Sequence, residues 1–267
     1  EVPIKPYKKD LQKYYTAPAV AKQLHVKVEK RLKELEKFSN ETDLNYIEWN
    51  DKKIGVVSSG VAYEYAKEVF GKDASYLKLG FTYPLPMEKI KKFAEEVEVL
   101  YVVEELDPYL ETQIKAAGID CIGKDKIPNT WELDPEIVAA SLLEEERPTI
   151  EYDKSVVVNR PPTLCAGCPH RGFFYALSKR KNVMITGDIG CYTLGGAAPL
   201  NAMDTTICMG ASVSLGHGAK KIFDKYNKEM RVVSVIGDST FFHSGMTSLL
   251  DVTYNKGNTI TCILDNR

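Results

Sequence analysis

Two side chains able to hold a hard cation stand at the ends of two apolar runs. Arg231-Val-Val-Ser-Val-Ile236 leads into Gly237-Asp238-Ser239, and Thr259-Ile-Thr-Cys-Ile-Leu264 leads into Asp265-Asn266. Between them, from His243 to Asn255, Met246, Leu249, Leu250 and Thr253 fall at helical spacing, and Lys256-Gly257-Asn258 reads as a helix stop. A right-handed crossover lays the two strands of such a β-α-β unit parallel. The Asp238 carboxylate and the Asn266 amide oxygen are therefore expected at the same, C-terminal edge of a sheet. Two oxygen ligands there suit Mg²⁺, which takes octahedral oxygen and is usually completed by phosphate oxygens of a bound molecule. Gly237 would let the backbone approach a phosphate, and Ser239 could donate to one. An ordinary doubly wound strand end, where Asp and Asn are common, is the alternative.

A second group carries sulfur. Cys165-Ala-Gly-Cys168-Pro-His170 is a CxxC, and Cys191 closes Gly187-Asp-Ile-Gly-Cys191 directly after the strand-like Val183-Met-Ile-Thr186. Thiolates at such spacings bind zinc or iron–sulfur clusters. A redox CxxC is the other use, but Pro169 is expected to leave no room for the helix that usually lowers the first thiol's pKa. Three thiolates from two loops fit a cluster with one ligand still missing. Cys208 and Cys262, inside apolar strand-like runs, and Cys121, in a separate domain, read as buried packing residues. His170 could bond a diphosphate or substrate, or order the loop. Asp188 is expected to stabilise the Gly187–Cys191 loop by an Asx-type turn rather than touch a cofactor. His217, between Gly216 and Gly218, reads as structural, His243 as a residue near the site and His25 as solvated.

The elements that must position these groups separate on pattern. Residues 1–52 are charged and helical, with an apolar stripe of Val20, Leu24, Val28, Leu32 and Leu35 suited to packing against a neighbouring domain. From 53 to 124 strands and helices alternate. Strands are expected at 54–58, 76–79 and 99–103, and helices at 61–70, 87–96 and 109–117, forming a compact α/β domain. Glu104 and Glu105 read there as a solvated strand end. Residues 125–159 read as a linker carrying Pro128, Pro135, Pro148 and the acidic Glu144-Glu-Glu146. In 160–267 composition shifts: between Asn182 and Gly218 the only charged residues are Asp188 and Asp204, which implies burial against a cofactor, a cluster or another subunit.

Gly-Asp-Ser, twenty-five residues, then Asp-Asn resembles the GDG-x(about 25)-NN signature of thiamine diphosphate enzymes, with Ser239 for the third Gly and Asp265 for the first Asn. Together with CAGCPHRG, GDIGCYTLG, DTTICMGAS, GDSTFFHSG and LDNR, the chain resembles the 2-oxoacid:ferredoxin oxidoreductases, and among them the large subunit of the indolepyruvate type. The match covers 161–267 with specific motifs and 54–123 more loosely. The resemblance implies an α/β fold, a transketolase C-terminal-like domain (with Tyr83-Pro-Leu-Pro86 after its second strand) followed by a parallel-sheet thiamine diphosphate-binding domain truncated at its C-terminus. It implies that Gly237, Asp238, Ser239, Asn266, His170, Gly190 and Cys191 surround the cofactor, that Asp238 and Asn266 hold Mg²⁺, and that Cys165, Cys168 and Cys191 ligate a [4Fe-4S] cluster. It implies oxidative decarboxylation of an aryl 2-oxoacid, with electrons passed to ferredoxin, the acyl group to coenzyme A, and a second subunit as partner. A non-oxidative thiamine decarboxylase or synthase, or a zinc-binding structural or electron-relay subunit, are the other readings. The activating Glu of thiamine enzymes and the fourth cluster cysteine are expected outside this chain, which opens on Glu1 and stops at Arg267 and so reads as an interior piece of a longer polypeptide.

Composition narrows the setting. A net charge of −2 without a basic block gives no reason to expect nucleic acid. No apolar run approaches the roughly 18 residues of a membrane span. Six cysteines with CxxC spacing in a charged chain suggest a reducing, cytoplasmic setting and metal rather than a disulfide scaffold.

Overall fold

A computed structural model describes residues 3–145 and 150–265, arranged as two units, Glu1–Glu151 and Tyr152–Arg267. The first opens with a short helix α1 (Leu11–Tyr14) and the long α2 (Pro18–Glu41). The stripe from Val20 to Leu35 stays half-buried, and Ser39 is the one fully buried residue of α2. Then follow β1 (Asn45–Glu48), β2 (Ile54–Ser59), α3 (Gly60–Phe70), β3 (Ser75–Leu79), α4 (Met87–Ala94), β4 (Val99–Val103), α5 (Tyr109–Ala116) and α6 (Pro135–Leu142). The sheet order is β1-β3-β2-β4, parallel except for β1, which pairs antiparallel on the β3 edge.

The alternation that marks these strands has a direct packing consequence. Neighbouring residues on a strand face opposite sides. Val56 and Tyr76 enter one core with Tyr63, Phe70, Val138 and Leu142, while Val57 and Leu77 enter another with Ile90, Phe93, Leu110 and Ile114. Both faces are covered, as a parallel sheet requires. Helix α6 supplies Val138 and Leu142 from within the stretch expected to be a linker. Its start is set by Asp134, whose side chain accepts from the Ile137 N–H at 2.7 Å.

Glu104 corrects an expectation. It is buried, not solvated, and accepts from the N–H groups of Leu110 (2.8 Å) and Glu111 (2.9 Å) at the start of α5. Burial pushes its carboxyl above the ordinary range, and the two backbone donors partly offset this. Glu105 accepts from the Leu133 N–H at 3.0 Å. Both glutamates therefore fasten backbone.

The second unit contains α7 (Pro169–Ser178), β5 (Val183–Gly187), a 3₁₀ turn Cys191–Gly196, β6 (Thr205–Thr206), α8 (Ala211–Lys225), β7 (Arg231–Gly237), α9 (Asp238–Thr240), a π-turn Phe241–Gly245, α10 (Met246–Tyr254) and β8 (Ile260–Leu264). Its sheet, β6-β5-β7-β8, is wholly parallel, so the β-α-β unit read from the sequence is present. Phe174, Ile185, Tyr192, Val233 and Val235 fill one face, and Val213, Ile236 and Val252 the other. At Gly216 of α8 a Cβ would overlap the Ser234 hydroxyl and lie 2.9 Å from that of Thr186. The helix thus lies on the strands as closely as glycine permits. Among the described residues no helix is long and apolar enough to cross a membrane.

Candidate functional site

The C-terminal ends of β5 and β7 place the Gly187–Cys191 and Gly237–Ser239 segments side by side, and one aromatic ring joins them. Tyr192 is 7% exposed; its hydroxyl donates to the Ile189 carbonyl at 2.9 Å and pairs with the Thr240 hydroxyl at 3.1 Å. A Cβ at Gly190 would stand 2.6 Å from that ring, and one at Gly237 would overlap it. Packing inside the chain is therefore reason enough for glycine at both positions.

Asp188 does more than the local turn expected of it. At 0% exposure its carboxylate accepts from Ile189 (2.9 Å), from Gly210 (2.9 and 3.0 Å) and from Ser212 (3.2 Å), all backbone N–H groups. It thereby fastens the β5 loop to the start of α8. Gly210 takes φ +88° in that turn, beside Ser244, a conformation few other residues adopt.

Asp238 is half-buried at the end of β7, in the first helical turn that follows, and its carboxylate has no side-chain partner among the described residues. Ser239 is exposed beside it. A carboxylate with no side-chain partner among the described residues can accept a cation there without breaking any bond described, so its chemistry fits Mg²⁺. Asn266 lies outside the described residues.

The cysteines divide differently from the expectation. Cys165 and Cys191 are exposed and Cys168 is half-buried. Pro169 does not preclude a helix after Cys168. It begins α7 as the first residue, the one helical position where proline's missing N–H costs nothing, with Cys168 as the N-cap. Arg171 secures the CxxC loop, its Nε donating to the Cys165 carbonyl at 2.9 Å and its terminal nitrogen to that of Leu164. Cys208 is a second correction. It is exposed in the turn after β6, because that strand is only two residues long and ends at Thr206. Cys262 on β8 and Cys121 are half-buried and packed against apolar clusters. Burial pushes the Cys262 thiol up and that of Cys121 to about 11.

His170 is 3% exposed, with its ring centroid 6.4 Å from that of Tyr192 and its Nε2 buried without a partner. His217 is buried against Gly257. His243 is exposed, and His25, also exposed, lies 3.3 Å from Glu29. Among the described residues no three His, Cys, Asp or Glu side chains are gathered closely enough to hold a metal ion. Cys165, Cys168 and Cys191 are thiols of the kind that ligates iron–sulfur clusters, without being gathered around one point among the described residues. Tyr192, Thr240 and Arg171 are the positioning residues that motif reading passed over. Only the nearness of Tyr192 and Arg171 to the cysteines hinted at them.

Residues 188–267 match the family described as thiamine pyrophosphate enzyme, C-terminal TPP binding domain. Over almost its whole length the chain is similar to the indolepyruvate oxidoreductase subunit IorA of Thermococcus kodakarensis, at 34% identity over 97% of this chain and 45% of that protein. The subunit of the same name from Methanothermobacter thermautotrophicus is 34% identical over 98% of this chain and 45% of its own. The resemblance read from the cysteine and Gly-Asp motifs is borne out by these relatives, of whose length the chain spans about half. Among solved structures, a 2-oxoglutarate:ferredoxin oxidoreductase from Magnetococcus marinus is 15% identical over 48% of this chain and 23% of its own, with a TM-score of 0.35.

Proposed function

We propose that the chain forms the diphosphate- and metal-binding part of a cytoplasmic 2-oxoacid oxidoreductase. The enzyme decarboxylates an aryl 2-oxoacid such as indolepyruvate, with ferredoxin as electron acceptor, coenzyme A as acyl acceptor and a second subunit as partner. One observation carries the reading: Asp238, with no side-chain partner among the described residues, stands at the C-terminal edge of a parallel sheet, inside the segment that matches a thiamine pyrophosphate-binding family. The names of the relatives support the substrate class.

Bound thiamine diphosphate supplies the electron sink for decarboxylation; the protein binds, orients and shields. Asp238, with Asn266, would hold Mg²⁺ on the diphosphate, and the exposed Ser239 hydroxyl would donate to a phosphate oxygen. Gly190 and the ring of Tyr192 shape the facing loop, and His170 keeps Nε2 available beside it. Cys165, Cys168 and Cys191 would ligate a [4Fe-4S] cluster.

Calorimetry on the full-length protein tests the metal assignment. Asp238→Ala is expected to weaken Mg²⁺-dependent thiamine diphosphate binding by on the order of 100-fold, the upper range found even for residues that only support a metal ligand. Unchanged affinity would remove Asp238 from the site. Metal analysis separates the redox from the structural reading, since zinc in place of iron would favour a structural subunit.

A further inference from the structure

We propose that a cleft at the N-terminal edge of the second unit's sheet binds a small molecule carrying two or more linked phosphates. Two loops build it. One leaves α7 as Lys179-Arg-Lys-Asn182 and enters β5, and the other leaves α8 and enters β7 through Asn227-Lys-Glu-Met-Arg231. Strand register holds them side by side, with Val183 opposite Arg231 and the Arg231 N–H donating to the Asn182 carbonyl at 2.9 Å. Together they line a cavity of about 850 Å³, within the size range of small-molecule sites.

Charge distinguishes this cleft. In a chain of net charge −2 it gathers Lys179, Arg180, Lys181, Lys220, Lys228 and Arg231 against two carboxylates, Asp224 and Glu229. Asp224 is already paired with Lys220. Helix C-termini attract cations, and α8 ends on Lys225, but Lys181, Lys228 and Arg231 lie beyond both helices. Arg180, Lys181, Lys228 and Arg231 are exposed, and their side chains make no ion pair or hydrogen bond among the described residues. Repulsion among such cations opposes their gathering unless an anion offsets it.

The donors suit phosphate. Arg180 and Arg231 carry planar forks that match phosphate oxygens in pairs, and the lysines add point charges. Asn182 and Asn227, at φ +53° and +50°, bring side-chain amides without a partner among the described residues. Met230 is the one apolar side chain of the lining, so linked phosphates, not an aromatic or aliphatic body, are the part recognised. A concavity between two short loops holds a small molecule, whereas a nucleic acid is read by a basic stripe along a face. Seven residues of β7 separate this edge from Asp238, roughly 20 Å, so the cleft is a second anion site and not the diphosphate site proposed above.

Calorimetry with tripolyphosphate tests the assignment, on full-length protein carrying Asp238→Ala to remove the other proposed phosphate site. Saturable binding is expected, weaker as salt is raised. Lys181→Glu combined with Lys228→Glu should lower the affinity about tenfold or more. The same reversals at Lys33 and Lys37, exposed lysines of α2, should leave it unchanged. In the wild type, which needs no variant to fold, tripolyphosphate should protect Lys181 and Lys228 from acetylation and leave Lys33 and Lys37 as reactive as before. Tighter binding of ATP would identify a nucleotide as the source of the phosphates, and equal binding an inorganic chain. The proposal is overturned by absence of saturable binding, by unchanged affinity after reversal of Lys181 and Lys228, by equal protection of all four lysines, or by preference for a glutamate-rich peptide or an oligonucleotide over both phosphate compounds.

Discussion

At the scale of single residues, the side chains that build the site are not the ones that would touch a cofactor. Among the described residues Asp188 has no ion-pair partner, yet it satisfies three backbone N–H groups in a fully buried position. Hydrogen bonds to a charged acceptor are worth roughly 1.5–3 kcal/mol, and their loss leaves buried donors unpaired. Asp188→Ala is therefore expected to destabilise the protein by about 2–3 kcal/mol in urea melts. Asp188→Asn, which keeps one acceptor oxygen, should cost less. Equal, negligible losses in both would show that the loop is held by something other than this carboxylate. The sequence flagged Asp188 as an isolated charge in an uncharged stretch but could not name its partners, which lie twenty-two and twenty-four residues on. Gly237 shows the converse. The motif suggested room for a phosphate, whereas the ring filling that room comes from Tyr192, and nothing local announces a contact across 45 positions.

Whole elements were legible where hydrophobic period was strong. From 53 to 124 each strand and helix falls within about two residues of its expected bounds, because alternation on strands buried on both faces and three- to four-residue spacing on helices leave little freedom. The glycine-rich stretch from Gly187 to Gly210 has neither period, so the two-residue β6 and the exposure of Cys208 could not be read there. Strand β1 was missed for another reason: an edge strand of four residues is set by its partner β3 and by anchoring side chains. Glu48 supplies one such anchor, accepting from Lys67 Nζ at 2.6 Å and from the Tyr63 hydroxyl at 3.1 Å. The Lys67 hydrogen bond holds the Glu48 carboxyl below its ordinary range. A depressed folded-state pKa means that the stabilisation is fully present above the ordinary carboxylate value of about 4.3 and is lost as pH falls through the lowered one. Wild type should therefore exceed Glu48→Gln in stability at neutral pH, with the gap closing in acid. A gap independent of pH would assign the anchor to packing.

For the whole molecule, the decisive quantity is how much of the chemistry one chain of this length can hold. The relatives are more than twice as long as the stretch matched here, since the chain covers 45% of each. Thiamine chemistry also needs a carboxylate that drives proton transfer on the cofactor, and such acid–base assistance is commonly worth about 10² to 10⁴ in rate. The second unit contains one glutamate, Glu229, which precedes β7 and so stands at the opposite end of the strand from Asp238. Asp188, the buried acid nearest the site, is saturated by backbone donors. If the proposed activity holds, residues 1–267 supplied with thiamine diphosphate and Mg²⁺ are thus expected to release carbon dioxide from indolepyruvate at no more than about a hundredth of the rate of the full-length protein with the proposed partner subunit. The measurement is carbon dioxide evolved per protomer under the same conditions for both. Comparable turnover would mean that the acid–base group resides within these 267 residues, and Asp238 itself would become the first group to reassign.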